Sequence, residues 1–218
     1  MELRIPKSKG KPIDIAELDD QDGEFLVRVS RDSVKHYLLT GSYMNPPKST
    51  PEKLYRPGAA FVTIEKIGGP RREKELRGCI GSVTPVNPLI ETVIKVAVDA
   101  AVGDPRFPPM TLDELDSVVF EVTVLGKLKP LPGDPSQRIK EVRLGRDGLL
   151  VIYGPYQGLL LPQVPLDHNW SIIDFFMYTC IKAGLPGDCW LHPDVRFYKF
   201  PGVSWIEKEP GGEVVRRL

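Results

Sequence analysis

Cysteine and histidine are scarce in this chain, with three of each in 218 residues. The cysteines, Cys79, Cys180 and Cys189, are odd in number. They form no Cys-x-x-Cys pair and follow no apolar leader, so a disulfide framework is not expected and a reducing cytoplasm is the simplest setting. Cys180 and Cys189 can close one small loop, but nothing in the pattern requires it. Cys189 and His192 stand at Cys-x-x-His spacing without the further ligands of a zinc site, so no metal is expected. No apolar run approaches the ~18 residues of a membrane helix. Gly-x-Gly-x-x-Gly, the phosphate-loop pattern and His-Glu-x-x-His are all missing, which removes the common nucleotide and metalloprotease fingerprints. An excess of one charge is lacking too: Lys plus Arg and Asp plus Glu number 29 each. Zero net charge argues against general polyanion binding, nucleic acid included. No internal repeat is visible.

What is present is globular. Hydrophobic residues make up 41% and charged residues 27%, which is neither a disordered nor a membrane composition. The length suits one domain or two intimately packed lobes with a real core. The 22 prolines suit the stiff loops of a thermostable protein. Residues 1–21 read as a polar, solvated leader, with Arg4, Lys7, Lys9 and Lys11 ahead of Asp14, Glu17, Asp19 and Asp20. Residues 22–206 read as one domain with a larger and a smaller lobe, and 207–218 as a tail.

Within that domain the apolar spacing predicts a helix over 22–39, capped by Asp22 and stopped by Gly41. A proline-rich loop follows to residue 58. Phe61–Ile67 reads as a strand, Gly68-Gly69-Pro70 as a turn, and the charged run 71–75 as a solvated hairpin tip. Residues 76–81 then return antiparallel to the first strand. Pro88 opens a helix whose apolar face is Ile90, Val93, Ile94, Ala97 and Ala101, ending at Gly103. Its N-terminus is expected near Cys79. Ser117–Leu125 alternates as a strand, and 129–140 reads as a loop. Segments 148–153 and 158–161 form a hairpin about a four-residue loop. Asn169 caps a helix running to Ala183. That helix is apolar nearly all round, so a central position is expected. Val195–Ile206 is the last strand. Short hairpin links predict an α+β fold with an antiparallel or mixed sheet and flanking helices.

The segment of most chemical interest is Leu76-Arg77-Gly78-Cys79-Ile80-Gly81. As a regular strand it points Leu76, Gly78 and Ile80 to one face and Arg77, Cys79 and Gly81 to the other. A guanidinium beside a thiol favours the nucleophilic thiolate. Glycines inside a strand signal a bulge or the close approach of a ligand or backbone. One reading is a reactive or ligand-contacting Cys79; the other is a small buried residue in a tightly packed strand. The loop Asp104-Pro105-Arg106-Phe107 is similarly open. It is either a ligand-contact group or an Asp104–Arg106 pair that fixes the loop, with Phe107 filling the core. Glu121 and Thr123 share the less apolar face of their strand. There they are either solvated or lining a cleft, where Glu121 can serve as acid or base.

These blocks also carry a resemblance. Leu76–Gly81, Pro88-Leu89, Asp104 to Pro108, Leu161-Pro162-Gln163-Val164, Trp170 and Lys182 to Pro186 are similar to the AMMECR domain family from about residue 22 to 206. The resemblance implies an α+β domain with a cleft between two lobes, and archaeal membership. It implies no reaction and no cofactor. It marks Cys79, Arg77, Gly78, Gly81, Asp104, Arg106, Phe107 and Gln163 as the region to inspect. Three functions follow. The first is an enzyme with Cys79 as nucleophile, Arg77 lowering its pKa, and Arg106 binding a small anionic substrate. The second is a module that binds a small molecule or protein in the cleft without chemistry. The third is a nucleic-acid adaptor using Arg71, Arg72 and the leader.

Overall fold

The computed structural model describes residues 10–68 and 73–218. The basic residues Arg4, Lys7, Lys9, Arg71 and Arg72 lie outside that range. In chain order the elements are α1 (Asp20–Thr40), β1 (Ala59–Gly68), β2 (Glu73–Gly81), α2 (Leu89–Val102), β3 (Val118–Leu125) and β4 (Lys129–Pro130). They continue as α3 (Pro135–Glu141), β5 (Asp147–Tyr153), β6 (Tyr156–Leu160), α4 (Val164–Asp167), α5 (Ile172–Lys182), β7 (Arg196–Glu207) and β8 (Val214–Arg216). The fold is α+β and every strand pair with a defined register is antiparallel. The chain divides into two compact units. One is Gly126–Gly202; the other comprises the residues up to Leu125 together with Val203–Arg217.

The second of these units is built on the strand order β2-β1-β3-β7, with β8 on β7. α1 and α2 pack on each other, and α2 lies on β1 and β2. α2 buries Ile90, Val93, Val96, Ala97 and Ala101, close to the face its spacing predicts. Each such Val or Ile contributes about 1.5–3 kcal/mol relative to exposure. Pro88 is the N-cap residue of α2, one position before the predicted one. α1 starts from Asp19, whose carboxylate and that of Asp22 form a capping box. Gly41 closes α1 with φ 73°, a left-handed conformation that glycine adopts freely.

Two stretches read as loose from the sequence are packed. Within the supposed leader, Ile13 and Leu18 are core residues and Glu17 pairs with Arg56. Within the supposed tail, β8 adds to the sheet and Arg217 reaches buried Glu121. Neither stretch has a long apolar run, so their burial depends on partners distant in sequence.

β2 departs from simple alternation. Its register with β1 shifts: Gly78 is opposite Ile64, whereas Leu76 is opposite Glu65. Arg77 is therefore the extra residue of a β-bulge. The bulge inverts the parity of the preceding residues, so Leu76 is 41% exposed instead of facing the core. Gly78 lies beside the bulge because the α2 backbone crosses there. A Cβ on Gly78 would sit 2.0 Å from the Ala100 carbonyl oxygen. A Cβ on Gly81 would sit 2.2 Å from the Phe61 ring. Both glycines are thus explained by packing instead of by ligand approach.

The unit Gly126–Gly202 has its own core, including Leu149, Val151, Phe175, Phe176 and Phe197. β4 and β5 flank β7, and β6 pairs with β5. The β5–β6 turn holds two residues, Gly154 and Pro155, not four, and Gly154 has φ 56°. The predicted loop 129–140 contains β4 and the helix α3, with Asp134 as N-cap and Pro135 at its start. Arg138 of α3 is buried and donates to the carbonyls of Pro132, Trp190, His192 and Val195. α5 is capped by Ser171, not Asn169, which takes φ 52°. α5 is not central: it buries Phe175, Phe176, Thr179 and Cys180 but exposes Ile173, Tyr178 and Ile181. Cys180 and Cys189 form a disulfide across nine residues of separation. The sequence expectation of no disulfide fails because α5 and the following 3-10 turn meet. With the bond present, cysteine usage no longer argues for a reducing compartment. No helix among the described residues is long and apolar enough to cross a membrane.

Two outcomes are expected from this packing. Gly78→Ala will destabilise by about 1–3 kcal/mol, because backbone must move, whereas Gly68→Ala, with open space around it, will be near neutral. Urea unfolding checks both. The double replacement Cys180→Ala/Cys189→Ala will lower stability by about 2–3 kcal/mol through lost loop closure, read as a lower midpoint than the oxidised parent.

Candidate functional site

The site is assembled by the end of α2. Gly103 stops that helix, and Asp104 emerges directly beside β2. Among the described residues β2 is the outermost strand of its sheet, so the outward groups of Cys79 have no strand partner there. Asp104 Oδ2 accepts the Cys79 backbone N–H at 2.9 Å. Arg106 donates from Nε and Nη2 to Asp104 at 2.9 and 2.6 Å, and Nη2 also reaches the Cys79 carbonyl at 3.4 Å. The carboxylate–guanidinium pair thus clasps both backbone groups of Cys79, as a neighbouring strand would. The charged partners and backbone donors hold the Asp104 carboxyl at about 2, with the Arg106 hydrogen bond the largest cause.

The Cys79 thiol lies on the other side of this clasp. Thr63 of β1 is directly opposite Cys79 on β2 and Glu121 on β3, so the three form a row across the sheet. Thr63 Oγ1 is 3.3 Å from Cys79 Sγ. Burial is the largest influence on the thiol and pushes its pKa above the ordinary value; the Thr63 hydrogen bond and the Arg106 charge pull the other way. The expectation that Arg77 activates Cys79 is therefore corrected. The bulge commits Arg77 elsewhere: Nε and Nη2 donate to Glu114 at 2.8 and 2.9 Å, and Nη2 to the Pro108 carbonyl. Helix polarity does not help either. The motif meets Ala100 near the C-terminus of α2, the end carrying negative partial charge, not the N-terminus.

Glu121 is fully buried and neither solvated nor part of an open surface. Its carboxyl is pushed up by burial, against the opposing Arg217 guanidinium at 2.5 Å. Thr123 is buried beside it in sequence register with Phe61. Phe107 is half-buried and is not a core residue. Its ring lies 5.5 Å from the Arg106 guanidinium carbon and 5.9 Å from that of Arg77. Nη1 of Arg77 is buried and finds no acceptor among the described residues. Gln163 is buried in the unit Gly126–Gly202. No cluster of three His, Cys, Asp or Glu side chains suited to a metal occurs among the described residues.

The structure adds residues that local pattern did not mark: Thr63, Glu114 and Arg217. Only Glu114 has a local signal. Thr111-x-x-Glu114 is a capping-box spacing, and the carboxylate that caps that turn also receives Arg77.

Fold and site together define a class: α+β proteins in two compact units, carrying a bulged Leu-Arg-Gly-Cys-Ile-Gly edge strand clasped by an Asp-Pro-Arg loop. The sequence pattern of the AMMECR1 family matches residues 27–205, and the chain belongs to that family. It is 52% identical over 215 residues to a protein of Aeropyrum pernix, covering 99% of this chain and 91% of that one. It is 45% identical over 203 residues to Protein PH0010 of Pyrococcus horikoshii, covering 93% and 98%. The crystal structure of that uncharacterised protein superposes with a TM-score of 0.88, covering 92% of this chain and 98% of the other at 46% identity.

Asp104→Asn keeps an acceptor for Cys79 but loses the charged partner of Arg106. It is expected to destabilise by about 1–3 kcal/mol at neutral pH. Because the folded carboxyl is depressed, its contribution is complete above the unfolded value near 3.9 and fades as pH falls toward about 2. Unfolding titrations of both proteins will therefore differ at pH 7 and converge near pH 2.

Proposed function

We propose that this protein is a non-catalytic binding module for a small anionic ligand, docked on the Arg106–Phe107 surface beside Cys79. The state of Cys79 carries this reading. Its backbone is held on both sides by the Asp104–Arg106 pair, and its thiol is bonded to Thr63 while burial pushes its pKa above the ordinary value. A nucleophile at neutral pH needs the opposite shift. Arg106 keeps its side chain 42% exposed while anchored by Asp104, so its guanidinium is presented rigidly. Such fixed presentation lowers the ordering cost of binding an oxyanion. The orphaned Nη1 of Arg77 is a further donor next to the same ring. A ligand oxygen displacing Phe107 satisfies it, relieving an unmet donor that costs about 1–3 kcal/mol.

One observation favours the enzymatic alternative. Glu121, in the same cross-strand row as Cys79, has its carboxyl raised by burial, which suits a proton donor.

Alkylation of Cys79 by iodoacetamide separates the two. The native disulfide leaves it as the one free thiol. The binding reading expects a reaction rate that rises only above the ordinary thiol value of about 8.5, and a Cys79→Ser variant that retains any ligand-induced melting shift. Full reactivity at pH 7, or loss of the shift in Cys79→Ser with an unchanged fold, turns the assignment to catalysis.

A further inference from the structure

Two guanidiniums beside Phe107 have the same nitrogen to spare. Arg77 is only 9% exposed; it spends Nε and Nη2 on Glu114 and the Pro108 carbonyl, and its buried Nη1 finds no acceptor among the described residues. Arg106 spends Nε and Nη2 on Asp104 and the Cys79 carbonyl, and its Nη1 likewise bonds to no described residue. Each arginine has given its forked edge to a carboxylate and kept one nitrogen. The centre of the Phe107 ring is 5.9 Å from the Arg77 guanidinium carbon and 5.5 Å from that of Arg106. One N–H···O contact spans about 5 Å from guanidinium carbon to carboxylate carbon, so an acid group in the ring's place needs side-chain shifts of only about 1 Å. Phe107 is the part that can yield. Its amide is fixed to the Asp104 carbonyl at 3.1 Å, and Pro105, Pro108 and Pro109 stiffen the loop. The half-buried side chain still has a χ1 rotation by which to leave.

Charge narrows the class of ligand. Arg77 is balanced by Glu114 and Arg106 by Asp104, so the four groups sum to zero. A single negative charge meets two free donors there. A second one gains no further cation and faces both carboxylates. A fork-to-fork contact with one guanidinium is closed off, because Asp104 and Glu114 already hold both forks. We propose, resting on the anion-binding reading above, that the ligand is a small organic monocarboxylate. One of its oxygens accepts from Nη1 of Arg77, the other accepts from Nη1 of Arg106, and Phe107 is the side chain that swings aside to admit it. Phe107 is then a gate on affinity, and the two Nη1 groups select a monoanion over a dianion.

Calorimetric titration of the full chain with butyrate, sulfate and inorganic phosphate, at matched ionic strength, tests the assignment. Butyrate is expected to bind at least about tenfold more tightly than either dianion. Phe107→Ala should tighten butyrate binding by about tenfold, because the closed state no longer competes. Arg77→Lys and Arg106→Lys each keep a cation for the carboxylate partner but lack Nη1, and each should weaken butyrate binding by at least about tenfold. Should the buried Arg77→Lys variant lose its melting transition, Arg106→Lys decides, since that side chain is 42% exposed. Sulfate or phosphate binding as tightly as butyrate leaves the anion-binding reading standing and overturns the monocarboxylate assignment. Weaker butyrate binding by Phe107→Ala overturns the gate, and unchanged binding by Arg106→Lys overturns the two-donor contact. No binding of any of the three anions up to about 50 mM overturns the anion-binding reading itself and this inference with it.

Discussion

The hydrogen bond from the Cys79 amide to Asp104 is the constraint on which the motif region depends. An edge strand offers unpaired backbone groups, and proteins must cover them or accept aberrant pairing. Here the cover is a single loop residue made strongly acidic by Arg106. The arrangement requires α2 to end where it does, with Gly103 admitting Asp104 to the strand. It requires Gly78 to let the α2 backbone approach. It requires the bulge at Arg77, which sends that guanidinium to Glu114 and leaves Arg106 alone to complete the clasp. One carboxylate therefore ties the end of α2 to the edge strand and to Arg106.

Much of this was legible in the sequence. α1, α2, β1, β3 and β7 are marked by periodicity, by Gly41 and Gly103, and by β-branched runs. Asp104 and Arg106, marked by the Asp-Pro-Arg loop, contact the Cys79 backbone. The failures share a cause. The bulge at Arg77 is a matter of register between strands, which one strand cannot declare, so simple alternation puts Leu76 and Arg77 on the wrong faces. The Cys180–Cys189 bond depends on where a 3-10 turn folds back. α3 is short, and its only markers, Asp134 and Pro135, also suit a loop. Arg217 looked like the end of a polar tail because its partner, Glu121, lies 96 residues away.

Buried ion pairs recur in the unit that holds the site. Arg31 of α1 joins Glu207 of β7 at 2.5 Å and also donates to the carbonyls of Leu115 and Val118, while Glu207 accepts from the Phe120 amide. Glu121 and Arg217 repeat the scheme. Such pairs add little net stability compared with apolar residues, but a missing partner is costly. They discriminate against misregistered packing of α1, β3 and the β7–β8 segment, since a slip strands a charge.

The chain path has a kinetic consequence. β3 and the β7 segment that lies beside it are separated by the whole of Gly126–Gly202. Until that intervening stretch collapses, closing the sheet means closing a long, floppy loop, with the entropic cost that entails. Once it has folded on its own core, its ends are held together within β7, where the Gly126 amide donates to the Pro201 carbonyl, and the remaining closure is short. The inserted unit thus acts as an internal scaffold for its host.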